Sequence, residues 1–248
     1  MGPLENISDE NRDRHESLVR LSKPEVKIKD PYYLSYKFLF KDLEHVINTY
    51  AKGDVLDIGC GNKPYKCFFE NKINSYVGCD IIQSSEGAVD ILCPATEIPL
   101  PDNSKDTVFS TQVIEHVADH RKLLSEANRI LKPGGYAIIS GPMAWEHHEE
   151  PYDFFRFTKY GFEWLLTEHG FTDIQIIPNG GKWAATGQLL LNSMRSSLAK
   201  KTPTRRILNG FYFIFRIKWL INALFSYLDR VDTDFGFTSN FVVVARKK

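Results

Sequence analysis

The chain has 248 residues, 43% of them apolar, and its 31 Lys plus Arg are matched by 31 Asp plus Glu. That much apolar material supports a large core and excludes a disordered chain. A formal net charge of zero leaves no global field to draw in nucleic acid or an acidic ligand.

The first residues, MGPLENISDENRDRHESL, are polar and lack the apolar run of a secretory signal. Residues 1–28 are therefore expected to form a flexible arm. Residues 32–50 place Leu34, Phe38, Leu43, Val46 and Ile47 at helical spacing. VLDIG (55–59) then reads as a buried strand running into a Gly-rich turn, and SYVGCDI (75–81) as a second strand. A third short strand is predicted near 89–92 and a fourth over 107–112. Residues 119–131 form an amphipathic helix, which Lys132-Pro133-Gly134-Gly135 stops. YAIISGP (136–142) is a fifth strand, and a helix over 158–169 starts at a capping Thr158. DIQIIP (173–178) and NFVVVAR (240–246) are the last two strands. Strands alternating with helices imply a parallel sheet with right-handed crossovers. The predicted organisation is a core over 29–178, a helical cap inserted over 179–236, and a final core strand over 237–248.

Four cysteines, Cys60, Cys67, Cys79 and Cys93, form no CxxC pair and no zinc-type spacing. They read as reduced, mostly buried thiols, and the expected location is the cytoplasm.

The chemistry begins at the first turn, GCGNKP. Gly59 and Gly61 permit a tight turn and close backbone approach to a ligand. Asp80 ends the next strand, 19 residues after Gly61, where a carboxylate can accept both ribose hydroxyls. A nucleoside ligand is the expectation. The run lacks the third glycine of a dinucleotide fingerprint, and Asp57 sits in the strand end. A carboxylate there repels a pyrophosphate but attracts a sulfonium carrying an amino group. This favours S-adenosylmethionine over a nicotinamide dinucleotide.

In VLDIGCGNKPY (55–65), YVGCD (76–80), IPLPDNSKDTVFSTQVIEHV (98–117), RILKPGGYAII (129–139) and HEEPYDFFRFT (148–158), the chain resembles the class I S-adenosylmethionine-dependent methyltransferases of the methyltransferase-11 type. The resemblance implies a Rossmann-like α/β fold. Its seven-stranded sheet would be mostly parallel, with the last strand antiparallel and helices on both faces. It also implies that Gly59, Cys60 and Gly61 line the methionine part of the cofactor. Asp80 and Ile81 would meet ribose and adenine, Ala95 the adenine edge, and Gln112 the methionine moiety. One departure is Pro94, where the family often carries an acid for the adenine amine; Asp90 or a backbone carbonyl is the candidate substitute.

Methyl transfer from a sulfonium needs in-line alignment. A hydroxyl acceptor also needs a base near neutral pH, for which histidine is suited. His116 follows the fourth strand, and His147 and His148 follow the fifth. The pattern His148-x-x-Pro151-x-Asp153-x-x-Arg156 is similar to a stretch in a subset of these enzymes, many associated with glycan or natural-product pathways. That similarity implies a substrate-facing loop. His148 would be the base and Asp153 its orienting partner. Arg156 would clamp a polar substrate, and Tyr152, Phe154 and Phe155 would form an apolar wall beside His147. The same residues could instead tie the fifth strand to the next helix. Some relatives place a divalent ion on Glu-x-x-Glu-His plus a later histidine. Here Gln112 replaces the first acid, a loss that weakens a hard-cation site, so no metal is expected.

In the cap, Arg195, Lys200, Lys201, Arg205 and Arg206 precede ILNGFYFIFRIKWLINALFSYL (207–228). Arg216 and Lys218 near its middle rule against a membrane span. Three readings stand: a membrane-surface helix, a lid over a lipid-linked acceptor, or a cap helix buried on the sheet or in a homodimer. Residues 205–228 are thus the expected contact with a membrane or a second copy, which would add a peripheral membrane location to the cytoplasmic one.

The expected function is O-methylation of a small polar metabolite or glycan-like acceptor, with a small-molecule acceptor and no nucleic acid as partner. C- or N-methylation is the nearer alternative, and a catalytically silent cofactor-binding scaffold the more distant one.

Overall fold

The computed structural model describes residues 21–70, 72–199, 210, 212–213 and 215–248. Of the expected arm, residues 1–20 lie outside the described residues, as do 200–209 of the basic run.

Seven strands form one sheet: β1 (Gly53–Ile58), β2 (Ile73–Asp80), β3 (Ile91–Leu92), β4 (Lys105–Thr111), β5 (Leu131–Pro142), β6 (Phe171–Pro178) and β7 (Asn240–Lys247). Their order is β3-β2-β1-β4-β5-β7-β6. The first five pair parallel, and β7 runs antiparallel to both β5 and β6. The central strands are covered on both faces, which explains unbroken apolar runs such as Val55-Leu56 and Ile138-Ile139.

One face packs under α1 (Tyr33–Tyr50), whose Leu39, Phe40, Leu43, Val46 and Ile47 meet Val55, Phe109, Ile138 and Val242. Each such buried side chain contributes about 1.5–3 kcal/mol relative to exposure. The other face carries α2 (His120–Ile130) and α3 (Lys159–Glu168), which bury Leu123, Leu124, Phe162 and Leu166 against Leu56, Val108 and Ile139. Thr158 caps α3 as its position predicts, its side chain accepting from Gly161 N at 3.0 Å. The fifth strand starts earlier than predicted. Leu131-Lys132-Pro133-Gly134-Gly135 belongs to β5, entered without a loop after α2, with Gly134 at φ +77°.

The inserted region holds α4 (Lys182–Ala199) and α5 (Ile217–Val231), which pack on each other and on α1. They run antiparallel: Trp183 meets Phe225 and Asp232, while Asp229 accepts from Gly181 N and Ala184 N. Among the described residues no helix is long and apolar enough to cross a membrane.

Candidate active site

The strand order reverses between β1 and β4, and an open parallel sheet leaves a crevice at the carboxyl ends of such strands. A cavity of about 590 Å³ lies there. It is lined by the turn after β1 (Asp57 to Gly61), the end of β2 (Asp80, Ile81), the segment after β3 (Cys93 to Thr96) and the end of β4 (Thr111 to Val113). All eight residues assigned to the cofactor from sequence line it: Asp57, Gly59, Cys60, Gly61, Asp80, Ile81, Ala95 and Gln112.

The glycine turn has the shape a ligand needs. Gly59 sits at φ +71°, and a Cβ there would meet Val113 at 2.3 Å. The Asp80 carboxylate accepts from Gly61 N at 3.1 Å, so the turn and the ribose-side acid form one unit. Asp57 is buried and accepts from the Tyr76 hydroxyl at 2.6 Å. Burial pushes its carboxyl up to about 7, the Tyr76 hydrogen bond pulls the other way, and the neighbouring Asp80 charge adds to the rise. The Lys63 cation also lowers it, as the smallest of these effects, and a cationic ligand would stabilise the carboxylate further. Asp90 does not stand in for the missing acid at Pro94. Its carboxylate accepts from Gly78 N at 2.7 Å and from Lys63 Nζ at 2.5 Å, and it does not line the cavity.

His116, Glu149, Tyr152 and Phe154 line the far side of the same cavity. Tyr36 and Leu39 of α1 also line it, a role that the helical spacing of residues 32–50 does not signal. The short 3-10 turn Ile114–His116 after β4 buries Glu115 and His116, and the later loop is laced onto it. Phe154 N and Phe155 N both donate to Glu115 O, at 3.0 and 3.3 Å. His116 Nδ1 lies 2.9 Å from Tyr152 O. A carbonyl can only accept, so Nδ1 carries the proton and Nε2 is the basic nitrogen of the neutral ring. His148 repeats the arrangement, with Nδ1 at 3.2 Å from Glu146 O. The two rings meet edge-on at 4.7 Å. Burial lowers the His148 pKa, and His116 lowers it further.

The remaining loop residues divide between two tasks. Asp153 is nearly buried and accepts both arms of the Arg156 guanidinium, at 2.6 and 2.7 Å. Burial alone would raise the Asp153 carboxyl, but the Arg156 fork and the His148 N–H hold it well below the usual carboxylate range. Arg156 also donates to Phe155 O and Glu146 O. Its donors are thus directed into the loop, which corrects the expectation of a substrate clamp. Asp153 does meet His148, donated to by its backbone N at 3.2 Å and 3.5 Å from its Nδ1. His147 points outward, its side chain 83% exposed. Phe155 turns to the core, 4.4 Å from the His120 ring, and Phe154 takes the cavity wall in its place. Glu149 lies within the segment the sequence singles out, but no local pattern separates it from its neighbours.

Glu115 is the acid beside His116 in the Gln112-Val113-Ile114-Glu115-His116 stretch. It is fully buried, and neither carboxylate oxygen has a hydrogen-bond partner among the described residues. Burial pushes it up to about 8, with Glu149 adding to the rise. Donor atoms of Glu115, His116 and His148 all lie within 4.8 Å of one another, so among the described residues these three could hold a metal ion. Two imidazoles and one carboxylate suit a transition ion better than magnesium. The Gln112 amide nitrogen donates to Ser140 Oγ and Asn240 Oδ1, at 2.9 and 2.8 Å.

Residues 56–139 match the family described as "Methyltransferase domain". A probable S-adenosylmethionine-dependent methyltransferase of Mycolicibacterium smegmatis is 30% identical over 119 residues, covering 45% of each chain. The chain thus spans about half the length of this curated relative. A crystal structure from Thermotoga maritima, described as a SAM-dependent methyltransferase and possible histamine N-methyltransferase, superposes with TM-score 0.53 at 18% identity over 88% of this chain and 93% of that one. The cyclase SpnF superposes with TM-score 0.54 at 16% identity over 93% of this chain and 87% of that one. Both structural matches show the fold alone. The glycine turn, the buried Asp57 and Asp80 line one cavity whose chemistry fits S-adenosylmethionine. Over residues 56–139 the chain is thus similar to the methyltransferase domain, and its sheet order is that of the methyltransferase structures it superposes on.

Proposed function

We propose that the protein transfers a methyl group from S-adenosylmethionine to a hydroxyl of a small polar metabolite or glycan-like acceptor, with a histidine as general base. The observation that carries this reading is one continuous cavity lined by the glycine turn and Asp80 at one end and by His116, Glu149, Tyr152 and Phe154 at the other. The cofactor supplies an electrophilic methyl on a sulfonium. With the cofactor bound, Asp80 would hold the ribose hydroxyls and Asp57 would face the cationic methionine end. The acceptor would lie beside Tyr152 and Phe154, which line that end of the cavity. His116, its Nδ1 proton committed to Tyr152 O, takes the acceptor's proton at Nε2. His148 stays neutral beside it because burial and the neighbouring ring disfavour its charged form. Asp153 and Arg156 position the loop, and Asp153 orients His148 through its backbone N–H. No metal takes part in this scheme.

The test uses methyl-labelled cofactor with a panel of hydroxylated, amino and activated-carbon acceptors. Transfer to a hydroxyl that is lost in His116→Asn, with cofactor affinity kept, supports the reading. Transfer to nitrogen or carbon reassigns the acceptor atom. Because a cyclase shares the fold, cofactor binding without transfer to any acceptor would reject methyl transfer.

A further inference from the structure

We infer that the acceptor end of the cavity is a cation-selective subsite. It takes a hydroxylated acceptor that carries an ammonium group on the neighbouring carbon, and Glu149 sets that preference. This rests on the hydroxyl-methylation reading above and adds to it the charge of the acceptor.

The charges around the cavity disfavour an anionic acceptor. Among the described residues its lining carries Asp57, Asp80, Asp119 and Glu149 and neither Lys nor Arg. Asp57 and Asp80 belong to the cofactor end. Asp119 caps α2, its carboxylate accepting from Lys122 N at 3.0 Å. Glu149 is the acid that remains to face an acceptor, and its side chain is 26% exposed. The cations of the surrounding loop are committed elsewhere: Arg156 to Asp153 and two carbonyls, and Arg195 to Glu146. A carboxylate or phosphate brought here would meet acids with no cation to offset them.

The base and the acid stand close together. Glu115 Oε1 and Glu149 Oε2 each lie 3.9 Å from His116 Nε2. With Nδ1 protonated, Nε2 is an acceptor, and a carboxyl group keeps acceptor capacity in either protonation state. Glu115 is fully buried, and neither of its oxygens has a hydrogen-bond partner among the described residues. Acceptor atoms converging in this way suit a ligand rich in donors. An ammonium brings three donors and no acceptor. The 3.9 Å separation lets a hydroxyl meet Nε2 while an ammonium on the next carbon meets Glu149. Tyr152 and Phe154 line the same end, and an aromatic face stabilises a cation within about 6 Å. An ammonium has no lone pair and cannot take the methyl. The hydroxyl oxygen can: it forms the new bond to the methyl carbon, the carbon–sulfur bond breaks with its electron pair left on sulfur, and the hydroxyl proton goes to Nε2. Holding the amine as ammonium therefore directs the methyl to oxygen.

The experiment reads binding to the full chain holding S-adenosylhomocysteine, by ligand-observed NMR titration. The probes are two matched sets: ethanolamine, ethylene glycol and glycolate, and glucosamine, glucose and glucuronate. In at least one set the ammonium member should bind about tenfold or more tighter than its neutral and carboxylate counterparts, the scale of one charged hydrogen bond. Glu149→Gln should erase the preference, and Glu149→Lys should invert it toward the carboxylate. Retained S-adenosylhomocysteine affinity in both variants marks an intact fold. Glu150→Gln removes the adjacent, exposed charge and should keep the wild-type preference. A role in holding the loop would not invert with the sign of the side chain. Absence of an ammonium preference in the wild type, or a preference unchanged in Glu149→Gln, overturns the inference. So does a preference that EDTA abolishes and a divalent ion restores, which would put a metal in the subsite. Methyl-labelled cofactor separates this inference from the reading beneath it. Transfer to the hydroxyl of neutral or carboxylate probes alone sinks the inference and leaves hydroxyl methylation standing. Transfer to nitrogen with the ammonium preference intact sinks hydroxyl methylation and leaves the charge selection standing.

Discussion

Asp57 offers the sharpest quantitative test. Its carboxyl is buried, hydrogen-bonded by Tyr76, and pushed up to about 7. The cofactor's methionine end is cationic, so the form that binds is the carboxylate, and binding at neutral pH should expel a proton. With a free-protein value near 7, apparent affinity is about elevenfold below its limit at pH 6, twofold at pH 7 and nearly at its limit at pH 8. Calorimetry in two buffers of different ionisation enthalpy should show about 0.9 proton released per cofactor at pH 6 and about 0.5 at pH 7. The cofactor's own α-amino group titrates near 7.7–8.0, so the slope below pH 7 is the diagnostic part. Asp57→Asn has no proton to lose and should bind weakly, with this slope absent. The apo protein carries the linked signature. A carboxyl raised from 3.8 to about 7 makes the folded state bind more protons than the unfolded one across that window. Stability should therefore fall with rising pH, by up to roughly 4 kcal/mol in all, and this fall should be missing in the Asn variant. Equal cofactor affinity at pH 6 and 7 in the wild type, with no proton released, would refute the reasoning.

The other expected outcomes concern the rest of the site. Asp80→Ala should weaken cofactor binding at least about tenfold, since it removes charged hydrogen bonds worth roughly 1.5–3 kcal/mol each; unchanged affinity in calorimetry would remove Asp80 from the ribose. His116→Asn should lower turnover by about 10²–10⁴ with cofactor affinity little changed, and His148→Ala should lower it by less; wild-type turnover in the His116 variant would dismiss it as the base. Arg156→Ala leaves the buried Asp153 charge uncompensated and should cost about 3 kcal/mol, or roughly 6–12 °C in thermal midpoint for a chain of this size; a shift under about 2 °C would contradict the loop-tying role. Exhaustive dialysis against EDTA should leave turnover unchanged, and a loss restored by one transition ion would instead place that ion on Glu115, His116 and His148.

The core was legible because local signals agree with global ones there. VLDIG and YAII read as buried parallel strands, and Thr158 and Lys132-Pro133-Gly134 mark helix boundaries. That Gly59, Gly61 and Asp80 line one cavity was legible for the same reason, since turn glycines and an acid 19 residues later are positions fixed by the chain itself. The acceptor side was only partly legible. That His116 and His148 meet edge-on depends on a 32-residue return of the chain, and that Arg156 serves Asp153 rather than a ligand depends on rotamers. Nor does sequence show that Glu115 is buried, because a glutamate after a strand ordinarily faces water. The face of α5 was least legible. Its inward side is decided by Asn222 reaching carbonyls 194 and 192 residues away, and local hydrophobic periodicity carries no trace of that.

A crystal structure with S-adenosylhomocysteine bound tests the central claim most directly. The account predicts the ligand in the crevice between β1 and β4, its ribose hydroxyls on the Asp80 carboxylate and its sulfur open toward His116. Ligand bound elsewhere, or a ribose out of hydrogen-bond reach of Asp80, would contradict it.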